Sequence, residues 1–217
     1  MSTIKKVKAH QKKFLEKAKS RKKPLVFTIE GRQIIVNPGV FPPATDTKLL
    51  ASNVQVSKGD HIIDMTTGSG IIPVIAGLQG ASGYAVDINP QAVENARQNV
   101  KKYKVDINVI ESDLFSNVPI DKFDAVFANG PFFEGEIIDP MDYACYGARD
   151  FIENLFKGIV EHLKPKGKLL IVVSEWAELD HLEKTAVKNG LLAKVIDKRK
   201  SDDGKRGYLL YEISLKQ

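Results

Sequence analysis

The sequence predicts an α/β protein built on a doubly wound, mostly parallel β-sheet. Strand-like and helix-like segments alternate from residue 61 onward, as expected for consecutive strand–helix–strand units. The strands are also nearly continuous apolar runs, for example over 125–128 and 169–173. Such runs are typical of strands that crossover helices cover on both faces.

An N-terminal extension precedes the alternating region. Helical spacing of apolar residues over 3–23 predicts a short helix, and strand-like segments over 25–29 and 33–36 predict a β-hairpin. We therefore expect residues 1–36 to form a basic helix-and-hairpin extension and residues 37–217 to form the main domain.

The main domain divides readily into elements because Gly and Pro mark its turns. Asn89 can cap a helix, and Pro90 has a backbone angle that suits the first helical position. The expected helices cover 46–53, 71–79, 90–103, 151–163 and 179–189, and the expected strands cover 61–65, 83–87, 107–111, 123–128, 168–173, 191–197 and 208–215.

The charge is concentrated at the N-terminus. Residues 1–23 carry ten Lys or Arg and a single Glu, a net charge of +9, whereas the rest of the chain carries −4. A basic arm on a mildly acidic body favours phosphate-rich partners such as RNA or the ribosome, because these contacts release counterions. A solvated helix that only aids solubility is an equally good interpretation.

Several function classes are excluded by composition. The single Cys145 allows no intrachain disulfide and no thiolate zinc site, and the four His residues lack metal-ligand spacing, so no metal is expected. The first residues lack the apolar core of a signal peptide, and no apolar run is long enough to span a membrane. We expect a cytoplasmic protein.

The end of the first core strand is the first candidate site. Ligands of open parallel sheets bind beyond the carboxyl ends of the strands. There the chain passes from Asp64 through Gly68 and Gly70 directly into a helix, so glycine permits a close backbone approach to a ligand. A glycine turn alone is also typical of an ordinary strand–helix connection.

The next two strands also end in suitable residues. Asp87 can accept two hydrogen bonds from a ribose diol, and Asp113-Leu114 can bind an adenine amine and pack against its face. A nicotinamide dinucleotide would require a third glycine, where this chain has Pro73. Because Asp64 can meet an ammonium group, S-adenosylmethionine suits the pattern better.

The fourth strand ends in Asn129-Gly130-Pro131-Phe132, which we expect to carry the reaction. The Asn129 side-chain oxygen and the Gly130 carbonyl can accept both hydrogens of a planar NH₂ group, and Phe132 offers a face for stacking. Such a site would select an amide or a base amine for methylation. A lone Asn-Gly-Pro would otherwise indicate only a turn.

These segments together resemble the class I S-adenosylmethionine-dependent methyltransferases with an Asn-Pro-Pro-Tyr/Phe loop, and the HemK-like, small-domain group in particular. The resemblance rests on 64–70, 87–90, 112–114, 129–132 and the upstream segment 40–50. It implies a Rossmann-like, seven-stranded sheet with a reversed last strand. By this resemblance the cofactor residues are Thr47, Asp64, Thr66, Thr67, Gly68, Gly70, Asp87, Ile88, Asp113, Leu114 and Asn129.

The chain departs from the family pattern at three positions. Thr66 replaces the usual glycine, Gly130 replaces the first proline of the loop, and Phe132 stands where glutamine-modifying members have tyrosine. Thr47 can also be a simple helix cap. We also expect no counterpart, within this sequence, of the large helical substrate-recognition domain of bacterial HemK proteins.

The leading hypothesis is an N-methyltransferase that modifies an RNA base amine or a protein glutamine amide, with RNA, the ribosome or a translation factor as methyl acceptor. The basic arm over 1–23 would then contact RNA. The alternative is a non-catalytic scaffold that binds RNA or another partner and keeps the fold, which the replacement by Gly130 suggests.

Overall fold

The computed structural model describes residues 3–119 and 121–216. Residues 1 and 2 of the predicted extension and residues 120 and 217 of the predicted main domain lie outside the described residues. The helices are α1 (Thr3–Lys19), α2 (Thr45–Ser52), α3 (Ile71–Leu78), α4 (Pro90–Tyr103), α5 (Ala148–His162) and α6 (Leu179–Lys188). The strands are β1 (Leu25–Ile29), β2 (Arg32–Val36), β3 (His61–Asp64), β4 (Ser82–Asp87), β5 (Ile107–Glu111), β6 (Phe123–Ala128), β7 (Leu163–Ser174), β8 (Leu191–Lys200) and β9 (Gly207–Leu215).

Seven strands form the main sheet in the order β5-β4-β3-β6-β7-β9-β8. Only β9 runs antiparallel to its neighbours β7 and β8, and the other pairings are parallel. The strand order reverses beside β3, which is the switch point where ligands bind in open α/β sheets. The predicted doubly wound sheet with a reversed last strand is confirmed.

Helices cover both faces of the sheet, which explains the continuous apolar strands. On one face, α2, α3 and α4 pack on side chains such as Ile62 and Phe127, and on the other face α5 and α6 pack on side chains such as Ile63 and Val126. Neighbouring residues of one strand therefore enter two separate cores. Within the described residues, no helix is long and apolar enough to cross a membrane.

The structure differs from the predicted elements at several boundaries and by one additional element. Helix α1 ends at Lys19 rather than at residue 23, α5 begins at Ala148 rather than at residue 151, and β8 continues to Lys200 rather than ending at residue 197. Strand β7 begins at Leu163 rather than Lys168, because its pairing with β6 is interrupted by a register shift that lets Pro165 and Gly167 lie within the strand. A 3₁₀ helix over Pro140–Ala144 was not expected. It is capped by Asp139, whose carboxylate accepts a hydrogen bond from the Met141 amide at 2.9 Å.

The hairpin of β1 and β2 is attached to the main domain by buried asparagines of α4. Asn95 Oδ1 accepts a hydrogen bond from the Asn37 amide at 2.7 Å, and Asn99 Nδ2 donates to the Ile35 carbonyl at 2.7 Å. These bonds satisfy backbone groups at the exposed edge of β2. Ile34 of this strand is fully buried in the same core as α3 and α4, whereas the division between residues 36 and 37 stays a prediction.

Helix α1 packs on the segment that precedes α5. Leu15 and Ala18 are buried against Met141 and Cys145. Just beyond the helix, the Arg21 guanidinium donates hydrogen bonds to the carbonyls of Val36, Asn37 and Val40, and to that of Lys23 at 3.3 Å. The N-terminal segment is therefore fixed to the body of the protein.

Candidate active site

A cavity of about 350 Å³ lies at the carboxyl ends of β3, β4, β5 and β6. Its volume is in the range of small-molecule binding sites, which are commonly about 300–1,000 Å³. The predicted site residues that line it are Thr47, Asp64, Thr66, Thr67, Gly68, Asp87, Ile88, Asp113, Leu114, Asn129, Gly130 and Pro131. Residues far apart in the chain are thus brought together by the parallel strands.

Two predicted site residues, Gly70 and Phe132, do not line this cavity. Gly70 begins α3 with φ of 80°, and a Cβ there would lie 2.9 Å from the Ala96 backbone, so this glycine allows α3 and α4 to approach. The Phe132 ring is 7% exposed and packs against Tyr208, with 5.9 Å between ring centroids. The aromatic residues that line the cavity are instead Phe41, Tyr143 and Phe151.

The turn after β3 is held by Asp87, at the end of β4. Asp87 Oδ2 accepts a hydrogen bond from the Gly68 amide at 2.8 Å, and Oδ1 accepts one from the Asn89 amide at 2.9 Å. Burial raises the pKa of Asp87 to about 6, although these backbone amides oppose the shift. Each carboxylate oxygen keeps a free lone pair for a ligand hydroxyl.

Asp64 is the most deeply buried carboxyl of the site, with 1% exposure. Burial raises the pKa of Asp64 to about 7, and the negative charge of Asp87 adds to this effect. Its Oδ2 has no hydrogen-bond partner among the described residues. A buried carboxylate of this kind is costly unless a cationic or hydrogen-bonding ligand meets it.

The loop after β5 presents Asp113 and Leu114 to the cavity. Leu114 has φ of 48°, a left-handed conformation that non-glycine residues adopt rarely. The Ser112 hydroxyl donates a hydrogen bond to the Leu114 carbonyl at 2.8 Å and accepts one from the Asn117 amide at 2.9 Å. This small network holds the loop in its strained form at the cavity wall.

The Asn129 side chain is oriented by two residues of α2. Its Nδ2 donates to Asp46 Oδ2 and to Thr47 Oγ1, both at 3.2 Å. This pairing assigns the amide orientation, and it leaves Asn129 Oδ1 buried and without a partner among the described residues. The free oxygen is therefore an acceptor available to a ligand in the cavity.

Thr66 and Thr47 act on neighbouring backbone groups. The Thr66 hydroxyl accepts a hydrogen bond from the Asn129 amide at 2.9 Å, which joins the ends of β3 and β6. A glycine at position 66 could not make this bond. Thr47 Oγ1 lies 3.4 Å from the Ala44 amide and accepts its hydrogen bond, so Thr47 supports the start of α2 from within the helix rather than as its cap residue.

Sequence reasoning missed Asp46 as a site residue. Asp46 is 8% exposed, lines the cavity, and keeps Oδ1 without a partner among the described residues. Burial raises the pKa of its carboxyl above the ordinary value. The available signal was its position beside Thr47 in the segment that carried the resemblance.

The environment of Gly130 explains why the loop has no side chain there. A Cβ at this position would lie 2.3 Å from Cε1 and 2.4 Å from Cζ of the Phe151 ring. Phe151, near the start of α5, therefore fills the space beside the loop and forms part of the cavity wall. The glycine and the phenylalanine are complementary in shape.

Four side-chain oxygens of the cavity are buried without a hydrogen-bond partner among the described residues. They are Asp46 Oδ1, Asp64 Oδ2, Thr67 Oγ1 and Asn129 Oδ1. Buried polar atoms are normally hydrogen-bonded, and leaving one unpaired costs about 1–3 kcal/mol. The cavity is thus suited to a ligand that presents several N–H or O–H donors.

Comparison with known proteins agrees with this geometry. The family model for the methyltransferase small domain matches residues 31–211 of the chain. A candidate protein N5-glutamine methyltransferase of Methanocaldococcus jannaschii is 36% identical over 158 residues, which cover 69% of this chain and 80% of that protein. The tRNA1(Val) (adenine(37)-N6)-methyltransferase of Bacteroides thetaiotaomicron is 29% identical over 137 residues, covering 59% of this chain and 58% of that protein.

A solved structure shows the same fold. The crystal structure of a methyltransferase from Pyrococcus furiosus superposes with a TM-score of 0.68 at 18% sequence identity, and it covers 95% of this chain and 99% of that one. At this identity the likeness concerns the fold alone.

Proposed function

Because this chain belongs to the methyltransferase small-domain family and is an S-adenosylmethionine-dependent N-methyltransferase, we propose that it acts in the cytoplasm on a planar amino or amide nitrogen of a macromolecule of the translation apparatus. The observation that carries this proposal is the buried, unpartnered Oδ1 of Asn129, which is aimed by Asp46 and Thr47. The family membership also favours an enzyme over the non-catalytic scaffold.

The residues of the cavity fit the cofactor. S-adenosylmethionine presents an ammonium group, ribose hydroxyls and an adenine amine, and the cavity offers buried oxygens that lack donors. Asp64 would hold the ammonium group, Asp87 the ribose hydroxyls, and Asp113 with Leu114 the adenine. Thr66, Thr67, Gly68 and Ile88 complete the wall. When bound, the cofactor supplies a methyl group activated by a positively charged sulfur.

The loop after β6 would recognise the acceptor nitrogen. Asn129 Oδ1 accepts one N–H of a planar NH₂ group, and the Gly130 carbonyl accepts the other, with Pro131 fixing the turn. Both hydrogens are then held in one plane, so the nitrogen lone pair lies out of that plane in a defined direction. Positioning of reactants in this way is worth roughly 7–11 kcal/mol of an activation barrier in favourable cases.

The names of two relatives support an NH₂ acceptor. One describes a glutamine amide nitrogen and the other describes the exocyclic amine of adenine. These groups differ in the molecule that carries them but share a flat NH₂ with a delocalised lone pair. A site built from two hydrogen-bond acceptors recognises this shared feature.

The chemical position of the transferred methyl group tests the proposal. Cell extract would be incubated with the protein and isotope-labelled S-adenosylmethionine. It would then be digested enzymatically, to nucleosides in one portion and to peptides in another, for mass spectrometry, because acid hydrolysis would cleave a methylated glutamine amide. We expect the label on an exocyclic base amine or on the glutamine amide, and we expect Asn129→Ala to abolish it while cofactor binding changes little. Label on a lysine, a ring carbon or a ribose oxygen would contradict the proposal.

A further inference from the structure

One side of α1 carries five exposed lysines, which we call the basic face: Lys5, Lys6, Lys12, Lys13 and Lys17. They lie opposite the buried residues Val7, Leu15 and Ala18, as the 3.6-residue period requires. Within the described residues none of the five forms a salt bridge, and Glu16 is the only acidic residue of the helix. The basic face is therefore a concentration of unpaired positive charge.

Helix α1 is packed on the cavity wall through its buried side, so the basic face lies on the outer side of the same helix, roughly one helix diameter of 10–12 Å from that wall. Leu15 and Ala18 contact Met141, which itself lines the cavity. The Lys19 ammonium lies 2.6 Å from Asp142 Oδ1 and 2.6 Å from Asp139 Oδ2, which fixes the end of the helix to the same segment. The apolar side of α1 is thus covered by protein, so the helix cannot insert that side into a membrane.

The turn between β8 and β9 approaches α1 near His10 and carries charges of both signs. Lys205 and Arg206 are balanced by Asp202 and Asp203, and Asp203 Oδ1 lies 3.9 Å from Arg206 Nη2. Partial burial lowers the pKa of His10 on α1, and the nearby charge of Arg206 lowers it further. Lys13 and Lys205 act in the same direction, whereas Asp203 opposes them. The charges of this turn balance, so the turn adds no net positive charge to the basic face.

The cavity mouth carries exposed flat and apolar groups. Tyr143 lines the cavity and is 42% exposed, and Ile137 lines it as well. The neighbouring Ile138 is 78% exposed. Proteins commonly bind single-stranded nucleic acid with a positively charged surface and an exposed aromatic ring. The phosphates contact the cations, and the bases stack on the ring.

We propose that the basic face of α1 binds the phosphate backbone of a single-stranded segment of RNA and thereby presents one base amine of the same strand to the cavity. This inference rests on the proposed function and narrows its acceptor to RNA. An acidic protein would satisfy the lysines but would leave the platform of Tyr143 without a stacking partner. The charge complementarity is sequence-independent, whereas the cavity selects the amine.

The test compares two variants with equal charge changes. In the first, the five lysines of the basic face become Gln. In the matched control, five exposed lysines near the amino ends of the main strands become Gln, at the opposite edge of the sheet: Lys58, Lys104, Lys122, Lys166 and Lys188. Substitution of exposed lysines rarely affects folding, and circular dichroism would verify this.

Binding of a fluorescent 20-nucleotide single-stranded RNA would be measured by anisotropy between 50 and 200 mM salt, without cofactor. We expect the basic-face variant to bind at least tenfold more weakly at 100 mM salt, and the slope of log K against log salt to become shallower by about 2–3, since each lost contact to single-stranded RNA contributes about 0.7. The control variant should keep the wild-type slope.

Equal slopes for the two variants would overturn the inference. The inference would also fail if a polyglutamate peptide displaced the fluorescent RNA as effectively as unlabelled RNA does. The surface would then recognise charge alone, as expected for a protein acceptor. Neither outcome affects the proposed function, which depends on the methylated atom. If the methyl label appeared on an atom other than an amino or amide nitrogen while RNA binding was normal, the proposed function would be wrong and the RNA-binding surface would stand.

Discussion

Asp46 accepts a hydrogen bond from the Asn129 side chain, with 3.2 Å between Oδ2 and Nδ2. The first turn of α2 thereby sets the direction of an amide at the end of β6, 83 residues further along the chain. Since Asn129 Oδ1 is left free, Asp46 acts as a positioning residue for the candidate acceptor site.

Replacing Asp46 by Ala should lower kcat because the Asn129 amide would lose one of its two anchors. The loss of one such hydrogen bond corresponds to about 1–2 kcal/mol, or roughly five- to thirtyfold in rate. Asp46→Asn can still offer an oxygen to Asn129 and should retain most of the activity. Kinetics and calorimetry with the cofactor would check this, with exposed Asp106→Ala as control. Equal loss in both Asp46 variants would show that charge, not orientation, matters.

Asp64 should make stability depend on pH. Its pKa is about 7 in the folded protein against an ordinary 3.8, so the folded state binds a proton that the unfolded chain releases between these values. This carboxyl therefore adds stability as pH falls from about 7 towards 4, and above pH 7 the buried charge is fully unfavourable.

Asp64→Asn removes this titration. Relative to wild type, its free energy of unfolding should be higher at pH 7.5 than at pH 5 by on the order of 2 kcal/mol. Urea denaturation without cofactor at both pH values measures the difference. Asp106→Asn, at an exposed site, should change the free energy of unfolding by the same amount at both pH values. The prediction would be contradicted if Asp64→Asn also changed it equally at both.

Gly130→Ala should displace the Phe151 ring, since a Cβ would lie 2.3 Å from Cε1. We expect a loss of stability of about 1–3 kcal/mol and a decrease in turnover, because Phe151 forms part of the cavity wall. Phe151→Ala in the same chain should restore part of the stability, giving a favourable coupling energy of about 0.5–3 kcal/mol. Thermal or urea unfolding of both single variants and the double variant measures it; strict additivity would exclude the contact.

Arg21 should stabilise the fold rather than bind a partner. Its guanidinium donates to the carbonyls of Val36, Asn37 and Val40, so Arg21→Ala should cost about 2–3 kcal/mol of unfolding free energy. Arg21→Lys should recover little, because one ammonium cannot reproduce the planar fork. The neighbouring exposed Lys22→Ala serves as control in urea unfolding, and an equally small effect at both positions would refute the role.

The sequence by itself determined the order of elements and most of the cavity lining. Apolar strands alternating with helices require a parallel sheet covered on both faces, and the carboxyl ends of its strands must share one edge. Asp64, Asp87, Asp113 and Asn129 could therefore be placed at one site from the sequence alone, because each lies at the end of a strand or within two residues beyond it. The local sequence pattern was sufficient to predict the position of a site residue wherever that residue lies at the end of a regular strand.

Only the tertiary structure decided which side chains of the irregular segments face the cavity. Phe132 lies beyond the end of β6 and its ring packs against Tyr208, whereas the Phe151 ring lies against Gly130 and forms part of the cavity wall. The contact of Asp46 with Asn129 and the position of α1 beside the cavity also depend on residues far apart in the chain. Such contacts follow from how whole elements pack, and no local periodicity encodes them.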